Sequence, residues 1–173
     1  MHYQVRENMK RLWAPWRMEY ILAAQEEEDG CLFCEKSQEK KDKVNLIVHR
    51  SQNCFVMLNR YPYNNGHLMV IPYLHESDLT KLCDEILLNM QQTINLAIKA
   101  LTESIHPHGI NIGINLGRTA GAGIDEHLHY HLVPRWNGDT NFMPVISNTK
   151  VVSEALNESW KKLNKAFSGI KHE

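Results

Sequence analysis

Three imidazoles stand at every second position of "EHLHYHLVPRW", residues 126–136: His127, His129 and His131 alternate with Leu128, Tyr130 and Leu132. Successive side chains of a β-strand point to opposite faces, so this spacing puts the histidines on one face and the apolar residues on the other. A helix would scatter the rings around its circumference. The segment therefore reads as a half-buried strand with one face given over to imidazole. Near neutral pH, neutral imidazole serves as nucleophile, proton carrier or metal ligand, and a strand holds neighbouring rings in fixed relation. One histidine here would be a satisfied structural residue. Three on one face, between a Gly-rich turn and "VPR", point to chemistry, metal binding or both.

A second equipped stretch is Cys31-x-x-Cys34 in "CLFCEK". Taken alone it fits a metal knuckle, a redox pair or coincidence. Two thiolates need two further ligands to close a tetrahedral zinc site. Cys54 and Cys83 fall in apolar strand and helix patterns, where buried, inert thiols are expected.

The elements that must position these groups are legible from periodicity. Three strand candidates, "NLIVHR" (45–50), "NCFVMLN" (53–59) and "HLMVIP" (67–72), follow the charged loop "SQEKKDK". "RYPYNNG" supplies turn residues between the last two, which predicts an antiparallel pair. From Glu76 the period changes: Leu79, Leu82, Ile86, Leu87, Met90, Ile94, Ala97, Ile98 and Leu101 form the stripe of an amphipathic helix lying on a sheet. "HGINIGINLG" returns to strand character, and "GRTAGAGI" turns the chain into the histidine strand. Ser153 is the expected N-cap of a final helix in "SEALNESWKKLNKAF". An α+β domain follows, with an antiparallel sheet of about five strands, a long helix on one face and a C-terminal helix.

At 173 residues the chain suits one domain with a real core. Lys+Arg 19 against Asp+Glu 20, a formal net charge of -1, implies no broad basic field, so nucleic acid is not an expected partner. No apolar run approaches transmembrane length and no secretory pattern opens the chain, so no membrane is expected. With four cysteines and no such signal, a cytoplasmic, reducing compartment is the expectation. Trp13 and Trp16, in the aromatic and Arg-rich first section, are expected to pack against the domain or a partner subunit.

The segment His127-Leu128-His129-Tyr130-His131-Leu132-Val133 resembles the histidine triad motif, His-φ-His-φ-His-φ-φ with φ apolar. "NRYPYNNGHLMVIP", residues 59–72, resembles that family's Asn…Gly-His-φ-φ-φ-Pro strand. The resemblance covers residues 31–136 and implies a HIT-like fold. It further implies a nucleotidyl hydrolase or transferase acting on nucleoside phosphates, usually as a homodimer. On this likeness the organisation is a single domain over 1–173, with an N-terminal extension (1–30), a core (31–136) and a C-terminal loop and helix (137–173).

By the same resemblance the middle histidine, His129, attacks the α-phosphorus and forms a nucleotidyl-histidine intermediate, splitting one difficult displacement into two. His131 contacts the non-bridging phosphate oxygens, and His67 supports the triad from behind. Asn59 matches a ribose-binding residue, although spacing alone reads it as a strand-end cap. Asn115 matches a polar position near the phosphates. Phe55 and Leu58 are candidates for packing against the base, with ordinary core packing as the competing role. In one branch of the family Cys31 and Cys34 are joined by the residues matching His75 and His127. That implies a structural Zn²⁺, while Mg²⁺ would arrive, if at all, with the substrate.

The match departs just before the triad. Many family members carry Gly-Gln-Ser or Gly-Gln-Thr there, whereas "AGAGIDEH" has Ala122 and Gly123 at those places and one extra residue. Gly121, Ala122 and Gly123 are read either as a backbone N–H nest for phosphate oxygens or as a tight turn. "LWAPWRMEYI", "NLGRTAGAGI" and "HLHYHLVPRWNGDTNFMPV" resemble a bacterial branch related to diadenosine tetraphosphate phosphorylases. The resemblance implies cleavage of dinucleoside polyphosphates and leaves water and inorganic phosphate both open as acceptor. Arg118, Arg135 and Asn141 are candidates for a second phosphate, against a default of surface charge. "WNGDTNFMPV" reads equally as a loop docking across a dimer. The alternatives are a nucleotide-binding scaffold with negligible turnover, a hydrolase of small conjugates such as adenosine phosphoramidates, or a zinc-binding interaction module.

Overall fold

The computed structural model describes residues 30–139 and 154–170. Helix α1 (Leu32–Gln38) leads into strands β1 (Ile47–Arg50), β2 (Cys54–Leu58) and β3 (Leu68–Pro72). A 3-10 turn, Leu79–Lys81, precedes the long helix α2 (Asp84–Ile105). Strand β4 (Gly109–Ile114), a second 3-10 turn at Arg118–Ala120, strand β5 (Tyr130–Arg135) and helix α3 (Leu156–Gly169) complete the order. The strands form one antiparallel sheet in the order β1-β2-β3-β5-β4. The expected hairpin is present, with Cys54 opposite Pro72 and Leu58 opposite Leu68.

Every residue of "CFVML" and "LMVIP" is buried, because these two strands are central and covered on both faces. One face carries Val56, Leu58, Leu68, Val70, Leu128 and Leu132 against Met90, Ile94, Ala97 and Leu101 of α2 and Leu163 and Phe167 of α3. The other carries Ile47, Phe55, Met57, Met69 and Ile71 against Phe33 of α1. "CLFCEK" is thus part of a short helix that lids the face opposite the long one, a layer that periodicity did not reveal.

Three boundaries differ from the sequence reading. The long helix starts at Asp84; Leu79 and Leu82 reach the core through a 3-10 turn, where Asp78 accepts from Thr80 N–H at 2.9 Å. The cap of α3 is Ala155, with no side-chain bond, whereas Ser153 lies outside the described residues. Cys83 is the exposed N-cap of α2 and not a buried thiol, while Cys54 is fully buried as expected.

The two sheet edges are treated differently. At β1, α3 side chains bond edge carbonyls: Trp160 Nε1 donates to Ile47 O at 2.8 Å and Asn164 Nδ2 to Val48 O at 3.1 Å. Such cover blunts a strand edge that would otherwise recruit another chain. At β4, the other edge, Ile112 is 45 % exposed, with Leu116 just beyond it at 52 %.

Candidate active site

His129 is 6 % exposed and sits just before the paired part of β5, which starts at Tyr130. The alternation holds through this entry: Leu128 and Leu132 enter the helix-side core, while His129 lies against Phe33 of the opposite layer. His129 Nδ1 stands 2.9 Å from the carbonyl oxygen of His127. A carbonyl only accepts, so Nδ1 carries the proton and Nε2 keeps its lone pair. Burial lowers the His129 pKa below 6.5, opposed in part by that backbone bond. The ring is therefore neutral at pH 7, with a bare nitrogen.

The neighbouring ring has the opposite tautomer. His67 is fully buried, and its Nδ1 accepts the backbone N–H of Tyr63 at 3.1 Å. Its Nε2 then carries hydrogen and donates to His131 Nδ1 at 3.0 Å. In neutral His131 the remaining proton is therefore on Nε2. The His129 and His131 rings lie 4.8 Å apart and nearly perpendicular. A nitrogen lone pair and an N–H donor are thus placed side by side, the first tautomer fixed by a backbone carbonyl and the second by a backbone N–H acting through His67.

His127 turns its ring the other way. Its Nε2 donates to Pro72 O at 2.9 Å, which leaves Nδ1 bare, 3.2 Å from Cys31 Sγ and 3.6 Å from Cys34 Sγ. His75 Nδ1 is 3.4 Å from Cys34 Sγ, and the four ligand atoms lie within 4.8 Å of one another. A tetrahedron with bonds of about 2.1–2.3 Å has edges of about 3.4–3.8 Å, close to the three Cys–His separations of 3.2, 3.4 and 3.6 Å. The Cys34 thiol is pushed up to about 11 by desolvation and then by the hydrogen bond and charge of Cys31, a cost that a shared cation removes. A Cys2His2 set whose imidazole is oriented by a carbonyl suits Zn²⁺. Nothing in its soft donors favours Mg²⁺.

A HIT domain model matches residues 40–138. The chain belongs to the HIT-domain family. Like other HIT enzymes it is a nucleotidyl hydrolase or transferase. It is 38% identical over 164 residues to the AP-4-A phosphorylase of Mycobacterium tuberculosis, spanning 91% of this chain and 84% of that protein. It is 26% identical to the adenylylsulfatase HINT3 of Arabidopsis thaliana, over 83% of this chain and 66% of that one. Among solved structures, a Zn-bound histidine triad family protein from Mycobacterium smegmatis superposes with a TM-score of 0.64 at 29% identity, covering 80% of this chain and 94% of that one.

Other expected residues of the HIT domain are placed as follows. Asn59 Oδ1 accepts from Tyr61 N–H at 2.9 Å, and its backbone N–H bonds His67 O at 2.9 Å; it caps the hairpin end beside the triad. Asn115 follows β4, whose Ile114 pairs with Tyr130, so it stands level with His129. The expected nest narrows: Gly121 N–H bonds Arg118 O at 2.9 Å and Ala122 N–H points to Gly117 O at 3.4 Å, both within the turn. Of the three, Gly123 is left as the one whose N–H the turn does not take up. Gly117 and Gly121 have φ of +81 and +100, so the tight-turn role accounts for the glycines there.

Leu58 belongs to the helix-side core, across the sheet from the histidines, and so does not reach a ligand beside them. Phe55 is on the histidine side but fully buried. Arg135 is committed to Asp139, at 2.7 and 3.0 Å, and to Asn111 Oδ1 at 3.0 Å, which makes it a brace for the turn after β5. Arg118 is 74 % exposed beside Asp125. Asn141, Trp13 and Trp16 lie outside the described residues. Sequence reasoning missed Phe33, Tyr63 and Pro72. Phe33 had a signal, an aromatic residue between two candidate ligands; Pro72 acts through its carbonyl, and Tyr63 through its N–H and through a ring stacked on His67 at 4.9 Å.

Proposed function

We propose that this chain is a dinucleoside polyphosphate phosphorylase, cleaving substrates such as diadenosine tetraphosphate at the α-phosphate. The observation that carries the reading is the pair of opposed tautomers: a bare His129 Nε2 beside a protonated His131 Nε2. His129 Nε2 attacks the α-phosphorus; an N–P bond forms and the bridging P–O bond breaks, releasing a nucleoside triphosphate. His131 Nε2–H donates to a non-bridging oxygen, where negative charge develops. Phosphate then attacks the same phosphorus, the N–P bond breaks, and a nucleoside diphosphate leaves with His129 restored. Asn59 holds the ribose, and Asn115 with the Gly123 N–H lines the phosphate chain. Phosphate as acceptor is supported by the likeness to the M. tuberculosis enzyme.

Zn²⁺ held by Cys31, Cys34, His75 and His127 would tie α1 to the triad segment and supply no chemistry at phosphorus. The β4 edge, which has no further strand beside it among the described residues and leaves Ile112 and Leu116 exposed, is the surface through which a second copy joins to make a homodimer. Light scattering should give twice the chain mass, falling to one chain mass in Ile112→Glu; a wild-type monomer would remove this part. Among the described residues no helix is long and apolar enough to cross a membrane.

Product analysis with diadenosine tetraphosphate tests the reading. ATP plus ADP, formed only when inorganic phosphate is present and lost in His129→Ala, is the expected result. ATP plus AMP without phosphate would make it a hydrolase. Cleavage of an adenosine phosphoramidate alone would move the substrate to small conjugates. Nucleotide binding without any turnover would make it a scaffold.

A further inference from the structure

Phe33 sits between Cys31 and Cys34 and is 2 % exposed. Its ring meets two members of the triad at once: His129 at 5.1 Å with planes tilted by 60°, and His127 edge-on at 5.5 Å. Among the described residues His129 has one polar anchor, the bond from Nδ1 to His127 O. Rotation of an imidazole about its second side-chain torsion is broad and roughly two-fold, so one such bond does not by itself hold the ring's plane. The Phe33 ring, tilted across the imidazole at 5.1 Å, fills the space into which it would turn.

The place of Phe33 is in turn fixed from outside. Helix α1 has seven residues, too few to persist without tertiary anchors. At its start Cys31 and Cys34 join the four-ligand cluster. At its end Arg50 donates to Ser37 O at 2.6 Å and to Glu39 O at 3.1 Å while paired with Asp42. Both anchors converge on the one buried residue of the helix, Phe33.

We propose that Phe33 is a positioning residue for His129: the Cys31–Cys34 segment presses its ring against the imidazole and so holds Nε2 on the line of attack. The proposal rests on His129 being the nucleophile. It assigns the metal-binding segment a part in alignment as well as in folding.

The test uses zinc-loaded, 15N-histidine-labelled protein as wild type, Phe33→Leu and Leu32→Ala, the last altering an exposed neighbour on the same helix. Three quantities are read: zinc per chain, the one-bond and two-bond imidazole 1H–15N pattern of His129, and kcat and KM for diadenosine tetraphosphate with phosphate. Phe33→Leu is expected to keep wild-type zinc and KM within about twofold, to lose about tenfold or more in kcat, and to shift His129 from pure Nδ1–H towards a mixture. Leu32→Ala should match wild type. An unchanged imidazole pattern with unchanged kcat would overturn the proposal. So would a defect confined to KM, which would make Phe33 a nucleotide contact, or a kcat loss fully explained by lost zinc. Phe33→Met, which keeps the bulk without the flat ring, is read in the same way if Phe33→Leu does not fold. If wild type turns over no nucleotide, the functional reading fails, while the imidazole spectra still decide whether Phe33 holds the ring.

Discussion

Replacing His67 separates what holds the triad together from what lets it react. His67 is fully buried and spans two partners: it accepts from Tyr63 N–H and donates to His131 Nδ1. His67→Leu keeps comparable bulk but removes both bonds and leaves a backbone N–H without its acceptor. Losing two buried bonds, each worth about 1 kcal/mol net, with about 1–3 kcal/mol for the stranded donor, gives a destabilisation of about 3–5 kcal/mol. For a chain of this size that lowers Tm by roughly 6–20 °C. The kinetic cost has a different origin. Without His67, His131 is free to place its proton on either nitrogen, and only one choice aims a donor at the phosphate. Removing a transition-state donor outright costs about 100- to 1,000-fold, so a donor lost part of the time and poorly aimed should cost roughly 10- to 100-fold in kcat. His67→Gln is the discriminating partner, because its amide oxygen can accept from Tyr63 and its amide nitrogen can donate to His131. Thermal melts and steady-state kinetics on both variants decide the matter. The expected result is a large kcat loss in Leu that Gln mostly restores. Full kcat in His67→Leu, with a lowered Tm, would show that the relay only stabilises the fold and would refute the tautomer argument.

The pH profile should follow His129. Burial holds its pKa below 6.5, so the bare nitrogen persists as pH falls past that value, and the acid limb of kcat/KM should lie below 6.5; a limb above it would contradict a buried nucleophile. The same sign applies to stability: the contribution of neutral His129 is complete above 6.5 and lost as pH drops through its lowered folded value, which urea midpoints across pH 4–8 will reveal. Gly66→Ala should destabilise by about 1–3 kcal/mol in denaturant titration, because φ is +69 and an added Cβ would come 2.5 Å from Ile105 Cδ1. Cys34→Ser should abolish stoichiometric zinc in elemental analysis and lower Tm well beyond Cys54→Ser; equal zinc in the two variants would place the metal elsewhere.

Much of this arrangement was legible in the chain, for reasons that differ residue by residue. The period-two run from His127 to Val133 announced a strand with one imidazole face, and the structure divides those residues between the two cores accordingly. The candidate ligands Cys31, Cys34, His75 and His127, which the structure brings together, were grouped through a resemblance; spacing alone could not have paired them, since β3 and the triad segment become neighbours only when the sheet forms. Helix α1 stayed hidden because seven residues carry too little periodicity. The sheet side of Leu58 stayed hidden because β2 is buried on both faces and shows no alternation.

The protonation pattern was out of reach for a deeper reason. His129, His131 and His67 are chemically identical as letters, yet the chain uses one as a lone-pair donor, one as an N–H donor and one as the link that enforces the difference. What distinguishes them is what faces Nδ1: a backbone carbonyl at His129, a backbone N–H at His67 and the His67 Nε2–H at His131; every residue but proline offers both backbone groups. Two of the deciding atoms, Tyr63 N–H and His127 O, could thus survive substitution of the side chain that bears them. Tyr63→Phe should accordingly leave the His67–His131 bond and the imidazole tautomers intact in 15N spectra. A changed tautomer pattern there would mean that the phenol, and not the peptide, sets the relay.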